Sequence, residues 1–223
     1  MSKPKHILVI RFSAMGDVAL TIPALLSVAQ AHPYLTFTVI TRPFFASFFP
    51  EHPQINAIGI HLENYKGFFG LRKLAKELHL KYQFDGVVDL HNVLRSKIIT
   101  SFLKTKGIER VTFDKQRNEK RAILKGKSNK ALPHIMEQYL NTFRLAGYNS
   151  SLKEGPWLKP TETEELTRFL HQQNKATKQE KWIGIAPFAA HEPKMWGLDK
   201  VQALIEKLKK KKLHGVFIWR WKN

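Results

Sequence analysis

At 223 residues, 43% hydrophobic and 25% charged, the chain is long enough for one large domain or one domain and part of another, and too apolar for disorder. It contains no cysteine, which excludes disulfides, thiolate metal sites and a cysteine nucleophile, and no apolar run approaches the roughly 20 residues of a membrane span. Lys+Arg 37 against Asp+Glu 18 gives a net charge of +19, which favours an anionic partner: nucleic acid, an acidic membrane surface or a phosphorylated substrate.

Lys3 and Lys5 precede Ile7-Leu8-Val9-Ile10, and Arg11 then interrupts the apolar run. The run is too short for the core of a secretory signal. Ile7–Arg11 therefore reads as a buried strand, and the protein as cytoplasmic. Further strands are predicted at Thr36–Thr41, Ala57–His61, Gly86–Leu90 and Ile108–Phe113, with helices at Asp17–Gln30, Gly70–Tyr82, Val93–Leu103 and Pro133–Ala146. Lys115–Lys130 is basic and poor in apolar residues, so an exposed, mobile loop is expected there. Gly147, Asn149, Ser150, Ser151, Gly155, Pro156 and Pro160 mark a boundary, dividing the chain into 1–155 and 156–223. The second part begins another α/β unit: helix Thr163–Gln173, strand Trp182–Ala186 and helix Leu198–Lys212, whose lysines 207–212 form a solvated face. Apolar strands alternating with amphipathic helices predict the α/β class, a parallel sheet covered on both faces with right-handed crossovers.

Chemistry concentrates where strands run into helices, because open α/β sheets bind ligands at the carboxyl ends of their strands. The first such corner is Arg11-Phe12-Ser13-Ala14-Met15-Gly16-Asp17. Gly16 allows close backbone approach or a positive φ. Asp17 stands at the predicted helix start, where on residues alone it reads as an N-cap. Neither GxGxxG nor GxxxxGK[ST] occurs, so nicotinamide-dehydrogenase and phosphate-loop readings find no support. His91 and His134 show no metal-ligand spacing, and no metal is expected.

This corner, continued by Leu20-Thr21-Ile22-Pro23-Ala24, resembles the opening signature of the heptosyltransferase family, glycosyltransferase family 9. Val87-Val88-Asp89-Leu90-His91-Asn92-Val93-Leu94-Arg95-Ser96 is similar to the family's DLHG-x-x-RS segment, with Asn92 replacing the usual small residue. Ile183-Gly184-Ile185-Ala186-Pro187-Phe188-Ala189-Ala190 and Lys194-Met195-Trp196 resemble its I-x-P-G-A…K-x-W loop, with Phe188 where glycine is usual. The three segments occur in the family's order.

The resemblance implies a GT-B fold: a Rossmann-like acceptor-side domain followed by a nucleotide-sugar donor domain. It implies inverting transfer of a heptose from ADP-heptose to the inner core of lipopolysaccharide, with no cofactor and no metal. The partners it implies are an ADP-sugar donor, a phosphorylated lipid-linked saccharide and the inner face of the cytoplasmic membrane, met peripherally; nucleic acid is not expected. By the same resemblance Asp17 is the catalytic base and Lys194 binds the donor phosphates, with Arg95, Ser13 and Gly16 on the acceptor. On residues alone, Lys194 also reads as a surface lysine and Arg95 as a cap on a carbonyl. Met15 and Trp196 read as packing residues.

Family members continue with a complete donor domain, so the resemblance implies truncation in the carboxyl-terminal domain and a fragment without transfer or ADP binding. Tryptophan has the single codon TGG, so reading Trp219-Arg220-Trp221-Lys222 one base later gives Gly-x-Gly, the turn a donor domain should show, and a frameshift is the expected origin. The alternative is a natural short strand, Val216–Trp221. Two competing functions stay open: a basic nucleic-acid-binding protein, and a non-catalytic remnant of the transferase.

Overall fold

The computed structural model describes residues 5–155, 157, 182–189, 192–210 and 215–218. The chain forms two compact units, Met1–Lys159 and Pro160–Asn223. The first is built on five parallel strands, β1 (Lys5–Ile10), β2 (Leu35–Thr41), β3 (Ile55–Gly59), β4 (Gly86–Asp89) and β5 (Glu109–Thr112), in the spatial order β3-β2-β1-β4-β5. The architecture is α/β, as the alternation of patterns predicts.

The strand sequences explain the layering. Along β1, Ile7 and Val9 face one side while Leu8 and Ile10 face the other, and all four are buried. A strand covered on both faces needs an unbroken apolar run. One layer contains α2 (Thr21–Ala31) and α7 (Ile135–Leu145), whose Leu25, Val28, Leu140 and Phe143 meet Val9, Phe37 and Val88. The other contains α4 (Gly67–Tyr82) and α5 (Leu94–Lys104). In α4 the apolar positions Leu71, Leu74, Ala75 and Leu78 recur at helical spacing and are buried against Leu8, Ile10 and Val87. Each leucine so buried contributes about 2 kcal/mol.

Several boundaries differ from expectation, each for a local reason. The predicted helix Asp17–Gln30 is two helices, α1 (Met15–Ala19) and α2, separated at Leu20. Pro23 has no N–H for the Ala19 carbonyl, and its ring would clash with that carbonyl in a continuous helix. β3 begins two residues earlier than predicted and pairs Ile55 with Phe37. Its end is fixed by Gly59, where a Cβ would lie 2.5 Å from Pro43 Cα. That proline opens a short helix the sequence pattern did not suggest, α3 (Pro43–Ala46), in the position at which its fixed φ suits a helix start. The expected loop at 115–130 contains a two-turn helix, α6 (Arg117–Leu124), with no buried residue. Arg, Lys, Glu, Ala and Leu are good helix formers, so that turn forms without an apolar stripe.

In the second unit, β6 (Trp182–Ile185) and β7 (Gly215–Ile218) pair in parallel, Trp182 opposite Gly215. They are joined in sequence through α8 (Leu198–Lys210). Predicted helix Thr163–Gln173 and the Trp219–Lys222 segment lie outside the described residues.

Candidate active site

The chain runs from β1 outward to β2 and β3, then returns to place β4 on the other side of β1. The direction of winding therefore reverses between β1 and β4, and the crevice beyond their carboxyl ends is where a sheet of this kind binds ligands. Two strand-to-helix corners line it, β1–α1 and β4–α5.

At the first corner Arg11 is buried although charged. Its Nη1 donates to the Leu90 carbonyl at 2.6 Å, and its Nη2 donates to Asp17 Oδ2. The guanidinium also lies over the Tyr139 ring, 5.7 Å from the centroid. One side chain thus ties the end of β1 to the end of β4, to α1 and to α7. Asp17 is the third residue of α1, so it is not the N-cap; that position is Ala14, whose N–H reaches back to Asp17 Oδ2 at 3.4 Å. Its side chain is 43% exposed, and no hydrogen bond to Oδ1 is found among the described residues.

At the second corner Asp89 is 0% exposed. Its Oδ1 accepts from the backbone N–H groups of His91 and Asn92, each at 2.9 Å, and its Oδ2 accepts from Ser96 Oγ at 2.7 Å. Asn92 has φ 48, a left-handed conformation that asparagine tolerates better than most residues, and its Nδ2 donates to the Phe113 carbonyl at 2.8 Å. The asparagine therefore fills a place where a glycine would otherwise be favoured.

The corners meet at Ser13 and His91, whose Oγ and Nε2 are 3.4 Å apart. Burial pulls the His91 imidazole down to about 4, helped by the positive charges of Arg11, Lys115 and Arg42 against the opposing pull of Asp17. It is neutral near pH 7, with a buried Nδ1 that has no hydrogen-bond partner among the described residues. Burial likewise pushes the Tyr139 hydroxyl up to about 12, and that hydroxyl also finds no partner among them. Among the described residues, the mouth of the crevice thus presents Asp17 Oδ1 as a carboxylate oxygen without a hydrogen-bond partner.

The structure brings together Ser13, Gly16 and Asp17. Gly16 is helical, and a Cβ there would meet nothing within 4 Å, so neither positive φ nor tight packing requires the glycine. Arg95 lies apart, in the first turn of α5, exposed and caps no carbonyl among the described residues. It lines a groove of about 470 Å³ with Arg42, Tyr65 and Lys66. Lys194 belongs to the second unit, exposed at the end of the short turn Glu192–Lys194. Met15 and Trp196, expected to pack, are 40% and 51% exposed, because each sits at a loop-to-helix transition with its side chain off the core. Sequence reasoning missed Arg11, His91 and Tyr139 as members of one network. The signal available was that both motif-bearing strand ends flank the reversal point. Among the described residues, no three His, Asp or Glu side chains assemble as a metal-binding group.

The profile of glycosyltransferase family 9 (heptosyltransferase) matches residues 71–223. The chain belongs to glycosyltransferase family 9. The family 9 match includes the Asp89–Ser96 and Ile183–Trp196 segments and leaves out the β1–α1 corner. Solved structures share the fold. A family 9 glycosyl transferase from Veillonella parvula is similar at TM-score 0.74 and 18% identity, over 97% of this chain and 63% of that one. Heptosyltransferase WaaC of E. coli, solved with ADP, is similar at TM-score 0.66 and 20% identity, over 97% and 68%. E. coli ADP-heptose lps heptosyltransferase II is similar at TM-score 0.63 and 22% identity, over 96% and 63%. This chain therefore spans about two thirds of the length of these three proteins. A comparison with curated proteins by sequence finds no match.

Proposed function

We propose that this protein acts in inverting sugar transfer, moving a heptose from ADP-heptose onto a phosphorylated, lipid-linked saccharide of the lipopolysaccharide inner core at the inner membrane face. The observation that carries the reading is the half-exposed Asp17 carboxylate, held by buried Arg11 at the reversal point of a family 9 fold. In this reading Asp17 Oδ1 accepts the proton of the acceptor hydroxyl as its oxygen bonds to the anomeric carbon. The bond from that carbon to the diphosphate breaks, and its electron pair leaves with ADP. Lys194 neutralises the departing diphosphate. Ser13 and the open surface over Gly16 contact the acceptor, and Arg95, Arg42 and Lys66 attract its phosphates. The choice of donor is supported by the ADP bound to WaaC, and a lipid-linked acceptor suits the net charge of +19.

The test is ADP release from ADP-heptose in the presence of a heptose-deficient core acceptor, run on the 223-residue chain and on any longer product of the same gene. Asp17→Asn lowers turnover about a thousandfold with donor affinity unchanged; turnover within a few-fold of the parent removes Asp17 from the mechanism. Lys194→Ala weakens ADP binding by roughly tenfold at low salt, and by less at high salt where the contact is screened. An unchanged dissociation constant by calorimetry eliminates that role.

A further inference from the structure

The face of α4 opposite its buried stripe has a composition unlike an ordinary solvated helix. Phe69, Arg72, Lys73, Lys76 and Leu80 follow one another at spacings of three, one, three and four residues, which places them on one side of the helix. Phe69 is 80% exposed and Leu80 is 67% exposed, and Phe68 beside Phe69 is also exposed. Phe102 and Lys106 flank the stripe across a shallow groove of about 650 Å³, with the Arg72 guanidinium 5.5 Å from the Phe102 ring centroid. The one acid on α4, Glu77, is engaged by the Tyr65 hydroxyl at 2.8 Å and Lys73 at 3.8 Å. Helix α5 carries no acid.

We propose that this face of α4 is a docking surface for an anionic phospholipid bilayer. Protruding aromatic and aliphatic side chains among lysines and arginines suit the boundary between headgroups and acyl chains. The rings and Leu80 enter the apolar region, while the lysine stems lie along it with their ammonium groups among the phosphates. A second copy of the chain is a poor occupant, since it would oppose Arg72, Lys73, Lys76 and Lys106 with cations of its own. Duplex nucleic acid would satisfy the charges and leave Phe69 and Leu80 unburied. The inference deepens the transfer reading, in which the acceptor is lipid-linked. Phe68 and Phe69 stand in the first turn of α4, which also lines the Arg42–Lys66–Arg95 groove through Gly67 and Leu71. Docking there brings that groove to the membrane surface.

The experiment is flotation of the 223-residue chain with phosphatidylcholine vesicles, with and without phosphatidylglycerol. Binding is expected only with phosphatidylglycerol. Lys73→Gln with Lys76→Gln weakens it roughly twentyfold, about fivefold per lysine, and Phe69→Ser with Leu80→Ser about tenfold. Lys120→Gln with Lys125→Gln removes equal charge from exposed positions in α6 and just after it and changes binding by less than about threefold. Unchanged thermal unfolding establishes that all three variants are folded. Equal binding to both vesicle types, or stripe variants no weaker than the α6 variant, overturns the proposal. Tighter binding to duplex DNA at the same salt, weakened by the same stripe variants, also overturns it and assigns the face to nucleic acid. Vesicle binding is measured without any transfer assay, so failure of the docking surface and failure of the transfer reading are distinguishable.

Discussion

The two corners of the crevice each end a central parallel strand and each carry an aspartate, yet the aspartates have opposite circumstances. Asp89 is sealed from solvent and both of its oxygens are consumed by the loop and helix start it organises. Asp17 sits a few residues beyond its strand, is 43% exposed, and among the described residues keeps one oxygen clear of hydrogen bonds while a buried arginine fixes the other. A carboxylate that satisfies three donors and is sealed from solvent is out of a ligand's reach, whereas one fixed from behind and open in front can exchange a proton without rebuilding its surroundings. Both segments resemble family motifs in sequence, so resemblance alone does not separate a structural aspartate from the proposed base. Hydrogen-bond occupancy supports Asp17 for that role.

The largest effect belongs to the sealed corner. Asp89→Ala leaves two backbone N–H groups and the Ser96 hydroxyl without partners, and should cost about 3–5 kcal/mol of stability by urea unfolding. A loss below about 1 kcal/mol would erase the distinction between the corners. At the open corner the balance is reversed. Asp17→Asn keeps an acceptor for Arg11, so stability should fall by no more than about 1 kcal/mol while transfer collapses as stated above. A variant that unfolds would make Asp17 a second structural staple.

His91, where the corners meet, gives the smallest and most specific effect. Its folded value of about 4 lies below the ordinary 6.5, so on acidification the unfolded chain takes the proton first. Its contribution is complete above about pH 6.5 and declines as pH falls toward 4. Partial exposure limits that loss to about 1–2 kcal/mol. Thermal unfolding across this range should show a shallower pH dependence in His91→Gln, and parallel curves would mean that the imidazole is not held neutral.

How far the sequence discloses these features depends on the distance over which they are decided. The strands are legible because Ile7–Ile10, Val39–Ile40 and Val87–Val88 are apolar on successive residues, which only a doubly covered sheet requires. The break between α1 and α2 was present in the sequence as Pro23, but the apolar periodicity running through it gave the stronger signal. Helix α6 has no apolar stripe to read. Asp17 was reachable through the family resemblance and as a corner residue, whereas the network around it was not. Arg11 to Leu90 and Ser13 to His91 are contacts between residues 79 and 78 positions apart, invisible until the strand order is known. The groove containing Arg95 is a similar case, assembled from the segments that follow β2 and β3 and from the starts of α4 and α5.

The span of the Arg11 contact also bears on how the unit comes into being. β1, β2 and β3 can pair as soon as the first 59 residues are available, but Arg11 finds the Leu90 carbonyl only when β4 closes onto β1, with the Leu90 N–H donating to the Ile10 carbonyl at 3.1 Å. Closing so long an intervening loop is the slower entropic step. Until then β1 is an apolar strand edge, the kind of surface that pairs with other chains. In pulse-labelled hydrogen exchange, the Arg11 amide, bonded to the Ile40 carbonyl at 3.1 Å, should gain protection before the Leu90 amide. The crevice then forms only after the β3-β2-β1 half of the sheet, so a chain arrested before β4 docks has neither corner assembled, only an edge for chaperones to cover.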